Sequence, residues 1–407
     1  MLLTAAGESI YVTNYLSGTL SVINSDTYEI IKTVILTPTC NYVAVSPNGL
    51  YVYVGNYLDD TVTVIETAGY SIVHTITMPA NSRTSGIAFT PDGLYAYVAN
   101  NQIDSVSVLE TTGYSIITTI SLPAGSHPLQ IAINPNGDYA YIANKGDGTV
   151  SVIQTSNNTL LTTFPATVPP NSNAGSNCIA INSSGTREYV TNFESRTVTI
   201  IKDNSLFDKI SLASNPSFIA ISPNNSYAYI TLSLINSVAV LEFPSKIVLT
   251  TIAIRQNSSP AQIAIHPNGD FAYVTEPNTN SLAIIDLTNN TYLESINTGT
   301  GAKGVAVNPF PQRTNVNPPN NFLGQSMLNN FILASEHFNN LSWNTPNSRI
   351  AGYRLSRNGI LIANLPSNTI EYEDHNRPIG QTDIYSLVAY NENGLNSMPI
   401  SLTIRTD

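Results

Sequence analysis

IAFTPDGLYAYVANNQIDSVSVLETTGYSIITTISL, residues 87–122, is the stretch whose reading decides the fold. It holds four short runs rich in Val, Ile, Thr and Tyr: IAFT (87–90), YAYVAN (95–100), SVSVLE (105–110) and SIITTISL (115–122). Such residues favour strands, because branched and aromatic side chains pack well on a pleated surface. The separators, PDG at 91–93 and TTGY at 111–114, carry the Pro, Asp and Gly chemistry of tight turns. No helical 3.6-residue period runs through the stretch. Four strands joined by short turns make one antiparallel sheet.

The unit repeats. Its second strand carries a tetrapeptide that returns seven times: YVTN (11–14), YVGN (53–56), YVAN (97–100), YIAN (141–144), YVTN (189–192), YITL (229–232) and YVTE (273–276). The steps between them are 42, 44, 44, 48, 40 and 44 residues. A period in the forties with four strands per unit is that of a β-propeller blade. The run IAxxPxGxYAYVxNxxxxxVSVI resembles the YVTN family of β-propellers of archaeal and bacterial surface proteins, over roughly residues 9–309.

Labelling the strands of a blade a to d from the channel outward shows how the ring should close. The chain opens directly on a b strand, Ile10–Asn14, and the a strands are expected at Val43–Ser46, Ile87–Thr90, Ile131–Asn134, Ile179–Asn182, Ile219–Ser222, Ile263–His266 and Val305–Asn308. The last has no b strand after it. Pairing it with Ile10–Asn14 would complete the first blade and remove two open sheet edges. The expected fold is therefore all-β: a seven-bladed propeller over residues 1–310, closed by its terminal strands. A Pro- and Asn-rich linker over 311–321 and a small β-sandwich over 322–407 follow. In the sandwich, LSWNTP around Trp343, GYRLSRNG (352–359) and YSLVAYNENGLNS (385–397) resemble a fibronectin type III domain, with Trp343, Tyr353 and Tyr385 as core residues. The stretch Leu323–His337 is longer than one first strand needs.

Composition narrows the function. Charged residues are only 11% of 407, against about 25% in typical soluble domains. The net charge of −11 argues against a nucleic-acid or anionic-lipid partner. No apolar run approaches the length of a membrane span. The opening MLLTAAGESI has no basic stretch followed by a long apolar run, so no signal peptide is expected within this chain, and any export signal is expected to precede it. Cys40 and Cys178 fall in distant blades and are expected to be free thiols. The five histidines are scattered, without metal-ligand spacing. No cofactor, metal site or catalytic constellation is expected.

Strand order places the d–a and b–c loops on one face, the upper face. The residue before each expected a strand should ring the channel mouth: Tyr42, Gly86, Gln130, Cys178, Phe218, Gln262 and Gly304. Arg83 and His127, with Lys303 close by, could form a small anion pocket. Tyr15, Tyr57 and Phe193 follow the tetrapeptide Asn and place aromatic rings on the same face. The acids of the b–c loops (Asp59, Asp60, Asp104, Asp147, Glu194, Glu276) lie on separate blades, apart from Asp59 and Asp60, so a shared cation is not expected. The asparagines ending the tetrapeptides are expected to shape turns. The longest d–a connection, Phe164–Asn177, is a possible binding loop.

The leading expectation is a non-enzymatic protein, secreted or displayed at a cell surface, whose upper face engages a protein or glycan. Tyr15, Tyr57, Phe193, Arg83, His127, Tyr42, Gln130, Phe218 and Gln262 are the candidate binding residues. The first alternative is a lactonase-like or lyase-like propeller enzyme, since such enzymes are similar in blade pattern. Arg83, His127 and Glu276 would then be its candidates at the channel mouth. The second alternative is a structural surface-layer component.

Overall fold

The computed structural model describes residues 9–166, 175–308, 319–330, 335–345, 350–358, 360–390 and 399–406. The centre of the Phe164–Asn177 connection, most of the 311–321 linker and the 391–397 part of the last sandwich motif lie outside these residues. The chain divides into two compact units, Glu8–Phe310 and one holding Pro311–Asp407.

The first unit is a ring of seven four-stranded antiparallel sheets. Six follow chain order a-b-c-d. The remaining sheet, blade 1, joins Ala302–Val307 to Ser9–Asn14, with Ile10 opposite Val307 and Val12 opposite Val305. The terminal strands thus close the ring as the repeat pattern requires. Strands b and c are buried along nearly their whole length, which is why YVYV and TVTVI read as continuous apolar runs rather than alternating ones. Strands d face solvent: Ile30–Ile35 buries one residue of its six.

The cores lie between blades. Tyr53, Val62 and Val64 of blade 2 pack on Ile87, Val98 and Leu109 of blade 3. At the closure, Ile10 and Val12 pack on Tyr273, Leu282 and Ile284 of blade 7. In blades 2, 3, 4 and 7 the a–b turn is a Pro-Asn/Asp-Gly hairpin whose glycine takes positive φ, as at Gly49 (φ 69) and Gly93 (φ 72), and in blade 5 Gly185 does so after two serines. In blade 6 Asn225 takes that role at φ 57.

Six of the seven a strands begin about three residues earlier than their apolar runs suggest, as in Cys40–Val45, Thr84–Phe89 and Pro128–Ile133, while that of blade 7, Ile263–Ile265, begins where expected. The reason is a β-bulge. Register slips between Cys40 and Tyr42, between Ser176 and Cys178, and opposite Val12 to Asn14 in blade 1. A bulge inserts an unpaired residue and re-aims side chains. The expected mouth ring therefore sits inside the strands, at their bulges.

The second unit packs a sheet of Asn320–Asn330, Ser335–Asn344 and Glu371–Asp374 beside one of Ile360–Pro366, Gly352–Arg357, Thr382–Tyr390 and Ile400–Arg405. The long Leu323–His337 stretch is accounted for by two strands of one antiparallel pair, with Leu328 opposite His337. Trp343, Tyr353 and Tyr385 are core residues, and Trp343 meets Tyr353 edge-on at 5.5 Å. Beside them Asp374 accepts two hydrogen bonds from Arg357 Nη1, at 2.7 and 2.8 Å, and one from the Tyr385 hydroxyl.

Candidate functional site

The tetrapeptide builds the floor of the upper face residue by residue. Its Tyr is buried in every blade and in three of them reaches the next blade: Tyr97, Tyr141 and Tyr229 donate to Oδ1 of Asn158, Asn204 and Asn290. Its Thr satisfies the bulge. Thr13, Thr191, Thr231 and Thr275 accept from the backbone N–H of Gly304, Cys178, Phe218 and Gln262 at 2.8–3.1 Å. The same hydroxyls donate to carbonyls of the following blade: Asn41, Ser217, Ala261 and Lys303. One hydroxyl thus fixes its own bulge and docks the next one.

The terminal Asn does not shape a turn, contrary to expectation. It is buried and clasps strand c. Asn56 donates to Thr61 and Thr63, Asn100 to Ser105 and Ser107, and Asn144 to Thr149 and Ser151, all at 2.8–3.0 Å. The cause is register: the Asn caps strand b exactly where small hydroxyl side chains of strand c face it. Glu276 occupies the equivalent place in blade 7, fully buried, and accepts from Ser281 at 2.7 Å.

Two of the b–c loop acids, Asp60 and Asp104, are loop anchors. Asp60 accepts from the N–H groups of Asn81 (2.7 Å) and Arg83 (2.8 Å), and Asp104 from those of Gly125 (2.8 Å) and His127 (2.7 Å). Asn236 and Asn280 do the same for Ser259 and Gly301. Arg83 and His127 consequently sit in tightly held d–a loops at φ 49 and 45. The Arg83 guanidinium lies over the Tyr57 ring at 5.6 Å, and His127 Nδ1 bonds the Asn101 carbonyl at 3.1 Å.

On this frame rests a funnel of about 1110 Å³, lined from all seven blades. Its floor holds Tyr42, Phe218 and Gln262, with Tyr42 and Phe218 facing each other at 6.2 Å across the ring. The mouth ring is thus a plug beneath the funnel. Two glycines make room for it: a Cβ on Gly86 would fall 2.7 Å from Gln130 Cα, and one on Gly304 would fall 2.6 Å from the Asn41 carbonyl oxygen. Burial pushes the Tyr42 hydroxyl far above its ordinary range. The wall is the position after each tetrapeptide, with Tyr15, Tyr57, Asn101, Lys145, Phe193, Ser233 and Pro277 all lining it.

Six of the candidate residues meet here: Tyr15, Tyr57, Phe193, Tyr42, Phe218 and Gln262. Gln130, Arg83 and His127 are not in the lining, and neither is Glu276, so Arg83, His127 and Glu276 do not converge. Asn41, Asn177 and Lys145 were not singled out by the sequence, although Lys145 follows YIAN just as Tyr15 follows YVTN. Lys303 faces the funnel from the bulge of the closing strand. Desolvation there, with the Lys145 charge close by, lowers its pKa below the usual lysine value. Glu194 is the carboxylate of the lining. Cys40 and Cys178 are both buried free thiols.

The family described as lactonase, seven-bladed beta-propeller matches residues 42–181 and 209–323. No curated protein matches the chain. Among solved structures, a functionally unknown protein from Desulfotomaculum acetoxidans is similar at a TM-score of 0.63 and 17% identity, over 74% of this chain and 98% of its own. Hydrazine synthase of Kuenenia stuttgartiensis aligns at 0.59 and 20% identity, over 69% and 93%. Virginiamycin B lyase of Staphylococcus aureus aligns at 0.58 and 16%, over 65% and 87%. With its seven sheets, its closing strand and that family match over more than half its length, the chain belongs to the lactonase seven-bladed β-propeller family.

Proposed function

We propose that the propeller is a binding module, secreted or displayed at a cell surface, whose upper-face funnel engages a glycan or protein. The observation that carries this reading is the aromatic wall. Tyr15, Tyr57 and Phe193 come from three different blades and stand around a packed floor with Tyr42 and Phe218 in it. Rigid aromatic side chains give large contact area at low entropic cost, and sugars and protein side chains both pack on them. The test is a glycan array and a surface-extract pull-down, comparing wild type with a Y15A/Y57A/F193A variant. Loss of capture in the variant is expected; undiminished capture would place the partner elsewhere.

Family membership favours a second reading, an enzyme acting on a lactone or a related cyclic ester. Turnover of a lactone panel by the wild-type protein, lost in a funnel variant, would replace the binding reading with this one. A structural surface-layer role is a third reading, for which ordered self-assembly at high concentration would speak. For the second unit we propose a fibronectin type III-like spacer. Its three-on-four strand arrangement and its Trp343–Tyr353 core support that assignment.

A further inference from the structure

The sheet edges of the two units are guarded to different degrees. In the propeller each outer d strand has six or seven residues and is bulged against strand c. Shortness and bulges both hinder pairing with another chain. Among the described residues of the second unit, three of the four edge strands are guarded as well. Glu371–Asp374 is four residues with three acids, Ile360–Pro366 is bulged and ends on proline, and Ile400–Arg405 ends on arginine. The fourth, Asn320–Asn330, is unguarded. It runs for eleven residues, against about five or six in a typical strand, without a charge or a proline. Its register slips between Asn320 and Leu323 and is then continuous to Asn330, with Ser335–Asn344 bonded along one side.

The same strand is complementary to itself. Phe322 and Gly324 turn to the core: Phe322 meets Trp343 at 6.2 Å, and a Cβ on Gly324 would fall 2.5 Å from Ile404 Cδ1. Alternation then puts Leu323, Gln325 and Met327 on the outer face, where Gln325 Nε2 lies 3.2 Å from Met327 Sδ. Leu323 is 62% exposed and Met327 37%. When two such strands lie antiparallel with Gln325 opposite Gln325, Leu323 of each copy faces Met327 of the other, and Gly324 faces Ser326. Apolar side chains meet apolar ones, amide meets amide, and no like charges stand opposite each other.

We infer that Asn320–Asn330 pairs antiparallel with the same strand of a second copy of this chain, about a two-fold axis at Gln325. Two three-stranded sheets become one of six strands, and the outward backbone groups of both edges gain partners. A two-fold contact closes on itself, so it gives a dimer and not a fibre. Strand pairing alone lies at the low end of stable interface areas, so a dissociation constant of about 1–100 µM is expected. The pairing is independent of what the funnel binds. It doubles the number of funnels per particle, which raises avidity for a repetitive surface.

The test is sedimentation velocity of the whole chain, over concentrations from well below to well above that range, for wild type and for L323K/M327K. The two lysines change exposed side chains and set like charges opposite each other across the two-fold axis. Wild type is expected to pass from one chain to two per particle, and the variant to stay single throughout with the unfolding curve of wild type. Cysteine cross-linking reads the register without relying on that variant, since Cys40 and Cys178 are buried. On mild oxidation Q325C is expected to link to itself, and L323C to link to M327C but not to itself. Wild type that remains a single chain at every concentration overturns the proposal. A dimer undiminished in L323K/M327K, or one lost in Y15A/Y57A/F193A, overturns the assignment to this strand. Self-linking of L323C as ready as that of Q325C overturns the two-fold axis at Gln325.

Discussion

At the scale of single residues, the tetrapeptide is a joint rather than a label. Thr231 accepts from Phe218 N–H at 2.9 Å and donates to the Ala261 carbonyl at 2.8 Å. Replacing it with the isosteric Val leaves both backbone groups unmatched at the funnel floor. T231V is therefore expected to cost about 1–3 kcal/mol, read from equilibrium denaturant unfolding. Glu188 makes a different kind of prediction. It stands where other blades carry Ile, Val or Ala, 3% exposed, and burial pushes its carboxyl up to about 7. The folded state therefore holds a proton that the unfolded chain releases nearer pH 4.5. The associated stability is fully present at low pH and is lost as pH rises through about 7. Wild type should lose about 1–3 kcal/mol across that window, and E188Q should flatten the dependence in pH-resolved unfolding.

At the scale of elements, the closing strand is the most exposed dependency of the ring. Ala302–Val307 supplies the innermost strand of blade 1, and its residues Ala302 and Val305 sit in the core shared with blade 7. Deleting Gly304–Asn308 opens two sheet edges and empties part of that core. We expect the propeller's Tm to fall by roughly 10 °C or more. An unchanged Tm would show that the ring does not depend on this pairing. In the second unit, D374A should destabilise the sandwich by about 3–5 kcal/mol in the same unfolding assay. It leaves Arg357 without its carboxylate beside the buried Tyr385 hydroxyl.

At the scale of the whole molecule, seven nearly equal blades force seven nearly equal positions around one axis. Function then lies where the repeats differ. The wall position reads Tyr, Tyr, Asn, Lys, Phe, Ser, Pro around the ring, and the bulge position carries Asn41, Leu129, Asn177, Ser217, Ala261 and Lys303 into the same funnel. Binding should accordingly be sensitive to Tyr15, Tyr57 and Phe193 together. Exchanges on the outer d strands, for example I72S on the blade 2 edge, should leave it unchanged in the same capture assay.

The period of the tetrapeptide, the turn chemistry and the missing b strand after Val305–Asn308 were enough to specify blade number, strand order and ring closure. These follow from local residue patterns and from the penalty on open sheet edges. The aromatic wall was legible for the same reason, as one position repeated in register. Three things were settled only by the folded chain. The bulges moved the mouth ring down into a plug, because a one-residue slip in pairing leaves no mark on an apolar run. Arg83 and His127 were turned into held loop residues by Asp60 and Asp104, more than twenty residues away in sequence. Lys145 and Lys303, 158 residues apart in sequence, were placed in the lining of one funnel, because a ring collects residues by angle about its axis and not by distance along the chain.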